Sequence, residues 1–346
     1  MDRRETGLLA AAAGAGVAAV VARQAVSRAR RRVEAQAAPP LRSEPRVVRT
    51  PDGVDLHVEV DELDPGVELP VGAATLVFVH GFAMSQDCWH YQRAQLRGTR
   101  RIVLFDHRSH GRSSLSDVAY LTIDQLGRDL LQVLDEVAPG ERVVLVGHSM
   151  GGMTIMSLAE QHPELFGDRV VGVALLATAA GGIATMSVLA PIVPHQLTEA
   201  IKPRLTQLLK RLAPAVDESR KRLPNAMFLA ARAVAMGEHA SAEKVALVAR
   251  DVGIVPAAVV LDMAATFDDH NRYRALATIG QVPSLVVSGS RDLITPARHS
   301  RELHEQIPGS RLLALDGPGH CVMIERDRQV NTAIQQLLVD ADEDRA

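Results

Sequence analysis

Cysteine is nearly missing from this chain. Cys88 and Cys321 are the only two in 346 residues. Two cysteines make no disulfide framework, and no Cys/His spacing resembles a zinc site. Cys321 directly follows His320, but adjacent side chains on a loop point apart, so a cysteine nucleophile is the weaker reading there. Lysine is scarce as well. Lys202, Lys210, Lys221 and Lys244 are the whole set within a Lys plus Arg total of 38, so the basic charge is almost all arginine. In so alanine-rich a chain this reflects genome composition rather than function. Excess charge of either sign is also lacking: the net charge is -3, which gives no reason to expect nucleic acid. What remains is 47% hydrophobic and 23% charged, enough for one large α/β domain with an insertion or for two small domains.

One apolar run approaches membrane length. Thr6 to Ala22 is uncharged, and Arg23, Arg28, Arg30, Arg31 and Arg32 follow it. Three readings compete. A spanning helix needs about 17–25 apolar residues, so this one is at the short limit and is mostly alanine. A signal peptide would explain Arg3-Arg4 and the cleavage-like Ala35-Gln36-Ala37, but that site lies across five arginines from the apolar run. A helix lying on the membrane face would set its arginines on anionic headgroups. Membrane contact through residues 6–32 is the favoured expectation. The arginine excess then keeps the C-terminal side cytoplasmic; the alternative is a soluble cytoplasmic protein with a loose leader. Ala37-Ala38-Pro39-Pro40 reads as a linker.

From residue 41 the chain alternates. Arg46–Thr50 and Val54–Val60 flank Pro51-Asp52-Gly53, a hairpin signal. Apolar strands are expected at Ala74–Val79, Ile102–Phe105, Val143–Val146 and Val170–Leu176, and again at Ser284–Ser288 and Arg311–Leu315. Helices fall between them, at Gln86–Leu96 with Trp89 on its inner face and at Thr122–Val137, where Ile123, Leu126, Leu130, Val133, Leu134 and Val137 recur at helical spacing. Strands apolar throughout, alternating with helices, predict a mostly parallel sheet covered on both faces. Between Gly181 and Ala277 the alternation stops. Pro203 fits a first helical position, and further helices are expected at Asn225–Ala235, at Ser241–Arg250 capped by Ser241, and at Pro256–Phe267. The organisation is therefore a leader over 1–40, an α/β core over 41–180 and 278–340 closing on a helix around Ile324–Leu338, and a helical insertion over 181–277.

Gly147-His148-Ser149-Met150-Gly151 follows one of the strands and opens a helix. That is the context in which Gly-x-Ser-x-Gly forms a nucleophile elbow. The serine takes a strained backbone position, and its neighbours must lack a Cβ for strand and helix to approach. A serine hydroxyl needs a base to take its proton and a third group to hold that base. After an elbow serine the expected order is acid, then histidine. Asp292 lies just past the strand at 284–288, and His320 lies on the glycine-rich loop past the strand at 311–315. In a parallel sheet these loops share one edge. Asp316 is the rival acid. The two amides that would receive a tetrahedral oxyanion are those of Met150, after the nucleophile, and Phe82, in His80-Gly81-Phe82. The side chains of Phe82, Met150 and Trp89 are the expected substrate pocket. His57, His162, His195, His239, His299 and His304 read as surface histidines. Asp268-Asp269-His270 could suggest a metal, but a polar linker is the better reading, and neither cofactor nor metal is expected.

His80-Gly81-Phe82, Asp106-His107-Arg108-Ser109-His110-Gly111-Arg112-Ser113, Gly147-His148-Ser149-Met150-Gly151-Gly152, Gly289-Ser290-Arg291-Asp292-Leu293-Ile294-Thr295-Pro296 and Gly319-His320 occur in one order. Over about residues 46–340 the chain thus resembles the α/β-hydrolase family. Ser109 stands where relatives usually carry glycine. The resemblance implies an α/β-hydrolase fold, with the insertion after strand 6 acting as a cap. The elbow looks like that of monoacylglycerol lipases and general esterases. Relatives with epoxide hydrolase or haloalkane dehalogenase activity use aspartate where this chain has Ser149. The cap would hold only Phe228, Phe267 and Tyr273 as aromatics and few charges to read a polar substrate. A serine hydrolase acting on a hydrophobic carboxylic ester, a small acyl or lipid-like molecule, is therefore expected. The alternatives are carbon–carbon bond hydrolysis or acyl transfer on the same triad, and a catalytically silent binding module.

Overall fold

The computed structural model describes residues 40–183 and 195–343. The apolar run, the arginines after it and most of the linker lie outside the described residues.

Strands β3 (Thr75–Val79), β4 (Ile102–Phe105), β5 (Val143–His148), β6 (Val170–Leu176) and β7 (Ser284–Gly289) are buried at every position. Their sequences are apolar throughout because both sheet faces are covered. Alternate residues go to opposite faces. Leu76, Phe78, Ile102, Leu104, Val144 and Val146 enter one apolar cluster, while Val77, Val79, Val103, Phe105, Val143 and Leu145 enter the other. The first cluster is closed by helices α1 (His90–Leu96) and α11 (Asp327–Glu343), the second by α2 (Ile123–Val137) and α3 (Met150–Gln161). In α2 all six expected apolar positions are buried, and Thr122 caps the helix by accepting from the Gln125 amide at 3.1 Å.

The sheet has eight strands in the order β1-β2-β4-β3-β5-β6-β7-β8. The hairpin of β1 (Pro45–Arg49) and β2 (Asp55–Asp61) turns at Gly53, with φ 86°, and β2 runs antiparallel to β4. All later pairings are parallel, out to β8 (Arg311–Leu315). From β3 the chain first crosses to β4 on one side and then to β5 on the other. That reversal opens a crevice outside the carboxyl ends of β3 and β5, where open α/β sheets bind ligands.

The alternation breaks after β6, where the helical insertion enters. It contains α4 (His195–Arg222), α5 (Pro224–Val234), α6 (Ala242–Val252) and α7 (Ala257–Ala264). Ser241 caps α6 by accepting from the Lys244 amide. Pro203 does not start a helix: α4 begins eight residues earlier, and a proline inside a helix costs one backbone hydrogen bond. The two ends of the insertion pair with each other, Arg272 donating its amide to the Ala180 carbonyl at 2.6 Å. Helix α8 (Ala275–Ile279) already packs into the second cluster. Beyond α9 (Ala297–Gln306), the closing helix is split by Arg326 into α10 (Val322–Glu325) and α11.

One further expectation changes. His299 is 6% exposed, not a surface histidine. Its helix, α9, lays one side against the core, and the ring fits near Gly182 at the mouth of the insertion. His270 is also buried. Its Nε2 donates to the Ala179 carbonyl at 3.0 Å, so it clips the end of the insertion to the end of β6. Among the described residues no cluster fit to hold a metal occurs.

Candidate active site

Ser149 occupies the turn between β5 and α3 with φ 51° and ψ -117°. A residue with a Cβ is strained there, and its surroundings hold it. Its amide donates to the Leu176 carbonyl at 2.9 Å, and its carbonyl accepts from the Gly152 amide and from the Thr178 hydroxyl at 2.7 Å. The turn is too tight for side chains two residues to either side of it. A Cβ at Gly151 would lie 2.1 Å from the Val79 carbonyl oxygen, and one at Gly147 would lie 2.7 Å from the Gly151 backbone.

Asp292 and His320 meet from the ends of β7 and β8. The His320 Nδ1–H donates to Asp292 Oδ2 at 2.9 Å. The same oxygen accepts from the Thr295 hydroxyl at 2.8 Å, and Oδ1 accepts from the amides of Ile294 at 2.8 Å and Thr295 at 2.9 Å. Burial alone would raise the Asp292 carboxyl. The adjoining His320 and the Thr295 bonds outweigh it and hold the carboxyl below its ordinary value. With Nδ1 donating, the neutral ring of His320 presents its Nε2 lone pair away from Asp292. His148, next in the chain to Ser149, donates its Nε2–H to the His320 carbonyl at 3.0 Å, and the two rings lie 4.8 Å apart. The elbow and the histidine loop are thereby tied together. Burial pushes His148 down to about 3, so this donor stays neutral. The rival Asp316 is exposed and accepts from the Ser290 hydroxyl at 2.9 Å; the partner of His320 is Asp292. Burial lifts the Cys321 thiol well above its usual range, which leaves no thiolate beside His320.

The amide of Met150 opens α3, where no intrahelical acceptor exists. The amide of Phe82 follows β3 across the crevice. Among the described residues neither has a protein acceptor. The loop carrying Phe82 is fixed from behind. His80 donates Nδ1–H to the Gly81 carbonyl at 2.8 Å and accepts the His107 amide on Nε2 at 2.9 Å. Asp106 accepts from the Gln86 and Arg112 amides. Ser109, in that second loop, has φ 60°. It takes a conformation that suits the glycine usual at this place.

Phe82 and Met150 share an apolar cluster with Met153, Leu121, Ile123 and Leu126 from the core and with Val259, Met263 and Phe267 from the insertion. The Phe82 and Phe267 rings meet edge to face at 5.1 Å. Trp89 is not among them. It is fully buried in the other cluster, its ring 4.8 Å from Phe78, because the turn carrying it packs against the opposite sheet face. His148 and Thr295 carry no signal in the sequence beyond adjacency to the elbow and a Thr three residues past an Asp.

Residues 76–333 match the family described as Alpha/beta hydrolase family. Over 268 residues the chain is 30% identical to the dihydrolipoyllysine-residue acetyltransferase component of the acetoin cleaving system of Pseudomonas putida. That match covers 77% of this chain and spans only 63% of the relative's length. Among solved structures, a thermophilic esterase from Thermogutta terrifontis superposes with a TM-score of 0.66 at 21% identity, over 86% of this chain and 99% of that one. The enol-lactonase from Burkholderia xenovorans superposes with a TM-score of 0.59 at 27% identity, over 83% and 97%. The chain belongs to the alpha/beta hydrolase family.

Proposed function

We propose that the protein is a serine hydrolase that cleaves the carboxylic ester of a hydrophobic acyl or lipid-like molecule. The observation that carries this reading is the His320–Asp292 pair, 2.9 Å apart, tied by His148 to a serine held in a strained turn. In this mechanism His320 Nε2 takes the proton of Ser149 as its Oγ attacks the acyl carbon. Asp292 keeps the ring oriented and stabilises the imidazolium that forms. The amides of Phe82 and Met150 bind the oxyanion, each worth on the order of 3–4 kcal/mol in the transition state. His320 returns the proton to the leaving alcohol. Water then attacks the acyl-enzyme with the same histidine as base, releasing the acid and restoring Ser149.

The apolar cluster of Phe82, Met150, Met153, Met263 and Phe267 suits an acyl chain, with α7 of the insertion as its lid. The 27% identity to an enol-lactonase agrees with ester-type bonds. Ser149→Ala should abolish p-nitrophenyl ester turnover and fluorophosphonate labelling; labelling that persists removes Ser149 from its role. Acyl transfer is the second reading, favoured by the Pseudomonas putida relative, named as an acetyltransferase. Product analysis with added alcohol or thiol acceptors separates the two, since transfer yields the new ester in preference to the free acid. Membrane contact through residues 6–32 belongs to the same proposal. Vesicle flotation with and without residues 1–40 tests it, and binding that ignores the deletion refutes it. Among the described residues no helix is long and apolar enough to cross a membrane.

A further inference from the structure

We infer that Glu325 is a positioning residue that pins the loop of His320 to the helical insertion, so that the insertion itself holds the base in register with Ser149. The inference rests on the reading of His320 as the base.

Glu325 ends α10 and is 6% exposed. Its carboxylate reaches two backbone amides from different parts of the chain. Oε1 accepts from Gly319, the residue before His320, at 2.7 Å. The amide of Gly237, in the connection between α5 and α6, donates to Oε2 at 2.9 Å and to Oε1 at 3.0 Å. On the other side of His320, the Cys321 amide donates to the Ala235 carbonyl at 3.1 Å. One peptide neighbour of His320 is therefore bonded to the segment 235–237 directly and the other through the Glu325 carboxylate. Lys244 of α6 adds a bond from Nζ to the Glu325 carbonyl at 3.2 Å and an ion pair with Asp327 at 2.5 Å.

The two backbones touch without intervening side chains. A Cβ at Gly319 would lie 2.7 Å from the Met236 backbone and 2.8 Å from the Gly237 nitrogen. A Cβ at Gly237 would lie 2.1 Å from the Gly317 carbonyl oxygen. Such a contact leaves the His320 loop no separate position to settle into. A buried carboxylate is also expensive, and an apolar residue in its place would leave two buried amides without acceptors. Asp292 already occupies Nδ1 of His320, so Glu325 acts on the base through its peptide and not through its ring.

The experiment compares kcat and KM for a soluble p-nitrophenyl ester in wild type, Glu325→Gln, Glu325→Leu and Gly237→Ala, below each variant's unfolding temperature and per folded protein. Glu325→Gln keeps an oxygen for the Gly319 amide and should retain kcat to within a few-fold. Glu325→Leu releases both amides and should lower kcat by up to about 100-fold, the effect of a base displaced by roughly 1 Å, with KM nearly unchanged. Gly237→Ala leaves Glu325 intact but wedges the insertion off the loop, and should lower kcat in the same way. A residue that served stability alone would lower the unfolding temperature and leave kcat in place. A folded Glu325→Leu with wild-type kcat overturns the inference, as does a folded Gly237→Ala with wild-type kcat. Should Glu325→Leu not fold, Gly237→Ala decides. Ser149→Ala in the same assay separates the two levels. Turnover that survives it refutes the esterase reading, whereas turnover that needs Ser149 but ignores Glu325 and Gly237 refutes the pin alone.

Discussion

Asp251 should make the stability of this protein depend on pH across the neutral range. The residue lies in α6 of the insertion, 2% exposed, and accepts from the Ser85 amide at 3.0 Å and from the Ser85 hydroxyl. Burial pushes its carboxyl up from 3.8 to about 7, against the pull of the two Ser85 bonds; the charges of Asp87 and Asp106 add to the rise. Between those two values the folded state keeps a proton that the unfolded chain has released. Stability tied to this group is therefore complete below about pH 4 and is lost as pH rises to about 7, at about 1.4 kcal/mol per pH unit. From about pH 5 to about pH 8 the loss comes to about 3 kcal/mol. Asn is the matched substitution. Its amide oxygen can accept from the Ser85 amide, its nitrogen can donate to the Ser85 hydroxyl, and it never ionises. Urea unfolding of wild type and Asp251→Asn at both pH values isolates the effect, because every other carboxylate titrates in both proteins. The variant should be close to wild type near pH 5 and more stable by about 3 kcal/mol near pH 8. A difference that stays flat with pH would show that Asp251 is ionised in the folded protein at both, and the reasoning would fail.

Three other substitutions test the site and its support. Asp292→Asn should lower kcat on the order of 10⁴-fold, since the amide favours the wrong tautomer of His320; steady-state turnover of a p-nitrophenyl ester measures it. Arg108 is fully buried and divides its guanidinium between Asp129, at 2.6 and 2.7 Å, and Asp52, at 2.7 Å. Arg108→Met strands the buried Asp129 and should cost about 3–5 kcal/mol of unfolding free energy, read by chemical denaturation. Phe267→Ala removes the ring that closes on Phe82. An ester panel should show selectivity moving toward bulkier acyl groups by about 1 kcal/mol, roughly fivefold in kcat/KM.

Much of the candidate site could be read from the chain because its residues are attached to strand ends. Ser149, Asp292 and His320 each follow an apolar run, and a parallel sheet brings such ends to one edge whatever their separation in sequence. The glycines around Ser149 mark the elbow because backbone contacts leave no room for a Cβ. Trp89 shows where this kind of reading stops. Periodicity places it on the inner side of its helical turn, but both sheet faces are apolar, and only the assembled sheet decides that it meets Phe78 and not Phe82. Pro203 marks a helix but not its start, because a proline inside a long helix and one at its first turn leave the same trace. Glu325 is silent for a different reason. Its partners are the amides of Gly237 and Gly319, and a bond to a backbone amide demands no particular residue at the other end. Asp251 lies between these cases. It continues the buried stripe of Val245 and Val248 at a spacing of three along α6, so a carboxylate sits where the period calls for an apolar side chain. Such a residue has to find hydrogen-bond donors across the interface it faces. Here those donors belong to Ser85, three residues beyond Phe82. The misplaced carboxyl therefore marks the line along which the insertion meets the Phe82 loop, and Glu325 marks its meeting with the His320 loop. Both contacts bring the insertion to segments that carry the proposed chemistry, which is where a lid must bear if closing it is to affect the reaction as well as the entry of substrate.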